Sequence, residues 1–517
     1  MQTTIRRLTV VLPLAISLLL PALTRAEIAV QAWVQSYRYG QYSGYDTASA
    51  MVVDSSNNVI VTGQSYGGAS SYDYATIKYS SAGAPLWTNR YDGPGGRVDA
   101  ANAVAVDSGN NVIVTGYSEG LRASPDYHNG DYATIKYSSA GVPLWTSRYG
   151  REGDGTNAYS GYDNAHAVAV DGSDNVIVTG GASNENNNQD YATIKYSSSG
   201  VPIWTNRYNG SSNWGDDIAW AVAVDGSNDV IVTGNSQNHY ATIKYSSAGA
   251  PLWTNRYSGP GGGYDYAWAV AVDHSNNVIV TGSSSGSGSA NDYATIKYSS
   301  AGLPLWTNRY NGPGNGADQA YAVAVDGSNN VIVTGLSAGS GSAGDYATIK
   351  YSSAGVPLWT NRYNGPGNGD DGASAVVVDS SNNVIVTGRS YNGSNNDYTT
   401  IKYSSAGVLL WINRYNGTGQ PCAVALDHSG NVVVTGSDDY TTIKYVLPLM
   451  ITDFKLTAGT FRMSLDNRQP GPVVIEASGL AGWSPVYTNT APTNVLFYTD
   501  PGAASRPARL YRSFQPQ

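Results

Sequence analysis

The sequence predicts an all-β protein: an eight-bladed β-propeller of four-stranded antiparallel blades, closed by the N-terminal strand and followed by a small β domain. Three observations carry this. The segment DYATIKYSSAG recurs almost letter for letter from Asp73, Asp131, Asp190, Asp292 and Asp345, with variants from His239, Asp397 and Asp439. Its tyrosines (Tyr74, Tyr132, Tyr191, Tyr240, Tyr293, Tyr346, Tyr398, Tyr440) are spaced 42 to 59 residues apart, the range of propeller blades. Each unit holds four short runs of alternating or β-branched character separated by turn residues.

In chain order, residues 1–26 read as a secretory signal. Arg6 and Arg7 precede an apolar run from Leu8 to Leu20, and the small residues Thr24 and Ala26 suit cleavage. The run is short and contains Pro13, which makes it a poor spanning helix. Removing it takes the formal net charge from -9 to -12, which argues against a nucleic-acid partner. Cys422 is the single cysteine, so stability has to come from packing and closure rather than disulfides.

The blades occupy residues 33–446. In the unit Asp99 to Tyr149 the four runs are AVAVD (Ala103 to Asp107), NVIVTG (Asn111 to Gly116), DYATIKY (Asp131 to Tyr137) and PLWTSRY (Pro143 to Tyr149). We term them strands A to D, with the alanine-rich A innermost. The A to B turn, DSSNN or DGSNN, has side chains that satisfy local backbone donors. It lacks the distal carboxylate of a calcium loop. Strands A, B and C occur eight times, but no strand D follows Tyr445. Trp33 to Tyr39 (WVQSYRY) supplies it, with Arg38 and Tyr39 expected to match the repeated Arg-Tyr pair and Trp33 lying two positions early. Pairing the two ends removes two exposed sheet edges.

Blades reading AVAVDxSxNNVIVTG followed by DYATIKY resemble the bacterial β-propeller repeat family SBBP and, more distantly, NHL-type propellers. The resemblance implies an exported or surface protein with no common catalytic residues. The family name suggests seven blades, so eight repeats are a departure. Residues 452–517 lack the repeat. Their IEAS, W-x-P and LYR elements resemble a small β-rich terminal module of secreted bacterial proteins.

The repeated Lys of TIKY and Arg of RY are expected to pair with the repeated aspartates or rest in solvent. Function is expected elsewhere. The A to B and C to D turns are short and uniform at one end of the ring. The B to C and D to A loops at the other end vary, which is where binding residues usually sit. Eight residues before the last Asp of strand A stand Asp46, Asp99, Asp163, Asp217, Asp265, Asp318 and Asp371, with Gly419 in the eighth blade. A ring of these carboxylates at the channel mouth would favour cations, calcium above all; the alternative is that each fastens its own loop. No other cofactor is expected.

Three residues further on come Ser49, Asn102, His166, Trp220, Trp268, Tyr321, Ser374 and Cys422. The rings of His166, Trp220, Trp268 and Tyr321, with Trp214, Tyr264 and Tyr266 in adjoining loops, suit sugar faces. They also suit the plainer task of filling the wide centre of the ring. No HExxH, GxSxG or P-loop pattern occurs. The expectation is a secreted or cell-surface monomer with no membrane span after signal cleavage, non-enzymatic, binding an extracellular glycan or protein. A polysaccharide-cleaving lyase or hydrolase is the alternative.

Overall fold

The computed structural model describes residues 29–40, 46–68, 71–120, 130–150, 162–184, 188–210 and 215–447. It also describes, as strands only, 450–457, 460–466, 473–479, 482–489, 495–500 and 511–514. The expected signal and Trp214 lie outside the described residues.

Eight four-stranded antiparallel sheets form the expected propeller, and no helix occurs among the described residues. In blade 2 the strands are Asp99–Val106, Val112–Glu119, Gly130–Tyr137 and Pro143–Tyr149, paired in that order. Strands B and C are buried on both faces, which is why VIVTG and YATIKY read as nearly continuous runs rather than alternating ones. The core lies between blades. Ile60 and Tyr74 of blade 1, for example, pack with Val112, Val114, Ile135 and Tyr137 of blade 2. Each such aliphatic side chain contributes about 1.5–3 kcal/mol by leaving water.

Each blade also presents buried or half-buried donors to the next. In seven blades the strand C tyrosine reaches a strand C carbonyl of the following blade: Tyr74 Oη donates to the Ala133 carbonyl at 3.1 Å, Tyr191 to Ala241 at 3.0 Å, and Tyr440 to Ala75 at 3.2 Å across the seam, while Tyr398 donates to the Ser437 carbonyl. Lys78 Nζ and Trp87 Nε1 both donate to the Ser139 carbonyl, at 3.2 and 3.1 Å. The A to B turns interlock as well. Asp54 Oδ1 accepts from the amides of Ser56 and Asn58, and Asn57 and Asn110 take left-handed φ values of 63° and 60°. Asn110 Oδ1 then accepts from the Ser55 amide of the neighbouring blade.

The eight repeated lysines bear out the expected pairing with repeated aspartates, in the interior rather than at the surface. Each is buried and pairs with the Asp that ends strand A of its own blade at 2.7–3.1 Å, as in Lys136–Asp107. Burial alone pushes Asp107 up, but the Lys136 hydrogen bond and the Asn111 donors outweigh it and hold the carboxyl below its ordinary value. The repeated arginines are more exposed and pair with the Asp of DY, as in Arg362–Asp345 at 2.8 Å. Arg256 is the exception, because His239 replaces that Asp; it bonds Tyr208 and Ser236 instead.

Val30–Gln35 closes blade 8 beside Thr442–Val446. Trp33 stands opposite Lys444 as Trp87 stands opposite Lys78. The expected match of Tyr39 to the repeated tyrosine does not hold. Tyr37, four residues after Trp33, takes that place: it packs edge-on to Tyr440 at 5.6 Å and accepts from Arg90 at 3.3 Å, as Tyr91 packs on Tyr74 and accepts from Arg148. WVQSY therefore aligns with WTNRY without a gap, and Arg38, one residue further on, still reaches Asp439. Blade 8 lacks the SSAG turn, and Trp411 Nε1 is accordingly buried without an acceptor, while Asn413 Nδ2 donates to the Ala29 carbonyl at 3.0 Å.

Beyond the propeller, Met450–Thr457, Thr460–Asp466 and Val495–Asp500 form one three-stranded sheet, and Val473–Gly479, Gly482–Asn489 and Tyr511–Phe514 form another.

Removal of one buried cation tests the inter-blade bolts. Lys136→Ala leaves the Asp107 charge buried and the Ser198 carbonyl short of a donor, and is expected to cost about 3–5 kcal/mol. The urea midpoint measures it; a change within about 0.5 kcal/mol would class the pair with exposed ones.

Candidate functional site

The variable position of strand A is a β-bulge in all eight blades. The A to B register skips one residue, between Ala48 and Ala50, Ala101 and Ala103, and so on to Pro421 and Ala423. The skipped residues are Ser49, Asn102, His166, Trp220, Trp268, Tyr321, Ser374 and Cys422. A bulge bends the strand and re-aims a side chain that the ladder would otherwise point into a packed face. It also explains the invariant glycine of VTG on strand B. A Cβ on Gly116 would lie 2.1 Å from the Ala100 carbonyl oxygen, and the equivalent distance at the other seven glycines is 1.9–2.1 Å.

The bulge sorts the strand's first residues into two faces. In blade 5, Asp265 and Ala267 are buried, while Tyr266 and Trp268 are partly exposed; the same pattern recurs around the ring. The seven aspartates thus face packed structure rather than forming an open ring at the mouth. Asp318 shows the arrangement: one oxygen accepts from the Gly312 amide at 2.7 Å in the D to A loop, the other from the Ala338 amide at 3.0 Å at the end of strand B. Asp371 holds Gly365 and Tyr391, Asp265 holds Gly259 and Ser285, and Asp46 holds Tyr39 and Tyr66 in the same way. Asp99 and Asp217 hold the Gly93 and Gly210 amides, and Asp163 the Ser183 amide. Asp46, Asp265, Asp318 and Asp371 each staple two loops together, whereas Asp99 and Asp217 hold one amide each and bury their other oxygen without an amide partner. Asp73, Asp92 and Asp99 bring carboxylate oxygens within 4.8 Å of one another, but Arg90 engages Asp73 at 2.7 Å and the Gly93 amide engages Asp99.

The expected aromatics assemble. His166 lies 4.3 Å from Trp220 between ring centroids, Trp220 lies 5.2 Å from Trp268, Trp268 stacks on Tyr266 at 5.4 Å, and Tyr266 stacks on Tyr264 at 6.2 Å. Five rings from blades 3 to 5 form one unbroken ladder that ends at Tyr264, 59% exposed. Trp220 Nε1 donates to Asn235 Oδ1 at 2.7 Å. Tyr321 stands apart from the ladder, with its hydroxyl 2.6 Å from Gln319 Oε1. Tyr266, expected in an adjoining loop, lies on strand A itself. Its signal is positional: it sits two before the bulge, on the same open face.

A cavity of about 850 Å³ lies on one side of the mouth, against Asn102, Tyr117, Glu119, Tyr162 and Asn164 of blades 2 and 3 with Gln64 of blade 1. Another of about 580 Å³ lies between blades 6, 7, 8 and 1, against Tyr321, Leu336, Ser374, Arg389, Gln420 and Cys422. Burial pushes the Cys422 thiol up to about 12 and the His166 imidazole down to about 4, so both are neutral at physiological pH.

No family model matches the chain, so the likeness to SBBP repeats rests on the motifs alone. A 157-residue stretch, 28% of the chain, is 29% identical to the uncharacterized WD repeat-containing protein L264 of Acanthamoeba polyphaga mimivirus and spans 10% of that relative's length. Among solved structures, Sqt1 of Chaetomium thermophilum is similar with a TM-score of 0.51 at 11% identity, over 79% of this chain and 96% of that one. Sqt1 bound to the N-terminus of the ribosomal protein L10 gives 0.52 at 11% identity, over 79% and 98%. Likeness at this identity shows the propeller fold.

Two groups at the mouth have opposite proton linkage. Burial raises Asp99 from 3.8 to about 6, against the Ser118 and Gly93 donors, so its contribution to stability falls as pH rises from 3.8 to 6. His166, lowered from 6.5 to about 4, does the reverse: stability is lost as pH falls from 6.5 to 4. Relative to wild type, the melting temperature of His166→Gln is therefore expected to rise as pH falls through that window, and that of Asp99→Asn to fall. Parallel profiles for both variants and wild type would contradict the assignments.

Proposed function

We propose that this protein is an exported, non-enzymatic propeller that binds a carbohydrate through its long-loop face. The observation that carries the reading is the ladder of His166, Trp220, Trp268, Tyr266 and Tyr264. Flat apolar faces in series beside amide and hydroxyl groups match sugar rings, which offer apolar faces and hydroxyl edges. The eight bulges place these rings on a rigid frame, which limits the ordering cost of binding. The Arg6 to Ala26 pattern supports export.

His166 favours binding over cleavage. Its ring is stacked on Trp220 and makes no hydrogen bond to a carboxylate among the described residues, and an imidazole lowered to about 4 is a weak general base at neutral pH. A protein partner is the second reading. It is supported by the similar Sqt1 propeller, solved with the N-terminus of ribosomal protein L10 bound.

A glycan array with wild type, Tyr264→Ala and Trp268→Ala tests the ladder. Both substitutions are expected to weaken glycan binding about tenfold, with the melting temperature unchanged for Tyr264→Ala because that ring is exposed. Unchanged binding with a lowered melting temperature for Trp268→Ala would return the rings to packing. In this reading the aspartates are loop staples, so millimolar calcium is expected to leave the melting temperature unchanged; a rise would give them a metal.

A further inference from the structure

We propose that the 580 Å³ cavity between blades 6, 7, 8 and 1 is a subsite for a carboxylate-bearing sugar, a uronate residue of an acidic polysaccharide, anchored by Arg389. The proposal rests on the carbohydrate reading and names the class of sugar.

Among the described residues, Arg389 is the one charged residue on the cavity wall. It is half-buried and makes no hydrogen bond or ion pair among the described residues, whereas the repeated arginines pair with aspartates or, for Arg256, bond Tyr208 and Ser236. Its strand B position is filled in the other blades by Gln64, Tyr117, Gly181, Asn235, Ser283, Leu336 and Ser437, none of them cationic. A planar guanidinium already held partly out of water is suited to a bidentate carboxylate.

The surroundings have lost negative charge where the cation stands. Blade 8 carries Gly419 where seven blades carry the staple aspartate, and Gly419 lines this cavity. Asp371, the staple of blade 7, is buried on the Gly365 and Tyr391 amides, and Asp438 accepts from the Thr418 amide at 3.1 Å. The loops of blade 8, 416–420 and 437–439, are short beside 117–130 and 150–165 in blades 2 and 3, which leaves the cavity open. Its volume lies in the range of small-ligand sites. Thr47, Ser374, Thr418 and Gln420 supply hydroxyl and amide groups, with Tyr321 and Leu336 as apolar walls. A polar lining of this kind fits sugar hydroxyls better than the side chains of a peptide.

Titration calorimetry at low salt with a galacturonate oligomer, its methyl ester and a polyglutamate peptide tests the proposal. Wild type is expected to bind the acid oligomer, and Arg389→Gln to weaken it at least about tenfold with no change in melting temperature. The ester, which lacks the charge, should bind both proteins equally and weakly. Arg97→Gln, an exposed arginine on the other cavity, should match wild type. Equal loss of acid and ester, no binding of the acid by wild type, or tighter binding of polyglutamate would overturn the proposal. If the ester then still binds and Trp268→Ala weakens it, the carbohydrate reading survives without the uronate; if neither oligomer binds and the array is blank, both fall.

Discussion

The structure depends on donors that no blade can satisfy alone. On blade after blade a buried tyrosine hydroxyl, a buried lysine ammonium and a half-buried indole find acceptors on the next one. The indole of blade 7, Trp411, goes without because blade 8 lacks the turn that would supply it. An unpaired donor of this kind costs about 1–3 kcal/mol, more when charged. An open row of blades would leave such a set exposed at one end, so the chain gains by closing on itself. Tyr440 bonding back to Ala75, and Lys444 and Trp33 both reaching Ser81, are the same contacts made across the seam. The buried Lys–Asp pairs act in the same place. Their attraction is offset by desolvation, but the geometry they demand leaves little freedom in how neighbouring blades dock.

A second constraint converts this uniform ring into a site. Each inner strand carries one bulge, and the facing glycine on strand B leaves room for it. The bulged residue is released from the packing rules that hold its neighbours alike, so it can differ between blades without cost to the fold. Seven staple aspartates then hold the long loops over the mouth. Rigid frame, variable bulge and stapled loops are produced by one repeat.

Much of the fold was legible because repetition averages out local ambiguity. Strand runs, blade number and closure by Trp33 all follow from patterns seen eight times. The part read once was misread: Arg38 and Tyr39 match the repeat by letters, whereas Tyr37 fills the space, because register follows Trp33 rather than residue names. Pairing of the lysines with the repeated aspartates was legible, whereas their burial was not, since a charged letter in a strand does not reveal its depth.

For the site, the sequence determined which positions vary, and hence that His166, Trp220, Trp268 and Tyr321 matter more than the repeated letters around them. Only the tertiary structure decided their arrangement. A bulge is a relation between two strands, invisible in either alone, and it turned the aspartates inward as staples while joining Tyr266 and Tyr264 to the ladder. Arg389 likewise gained meaning only through what surrounds it, a cavity whose walls come from four blades and whose neighbouring blade has dropped its carboxylate. Composition and spacing specify what is repeated along the chain; contacts between distant residues specify what a ligand would meet.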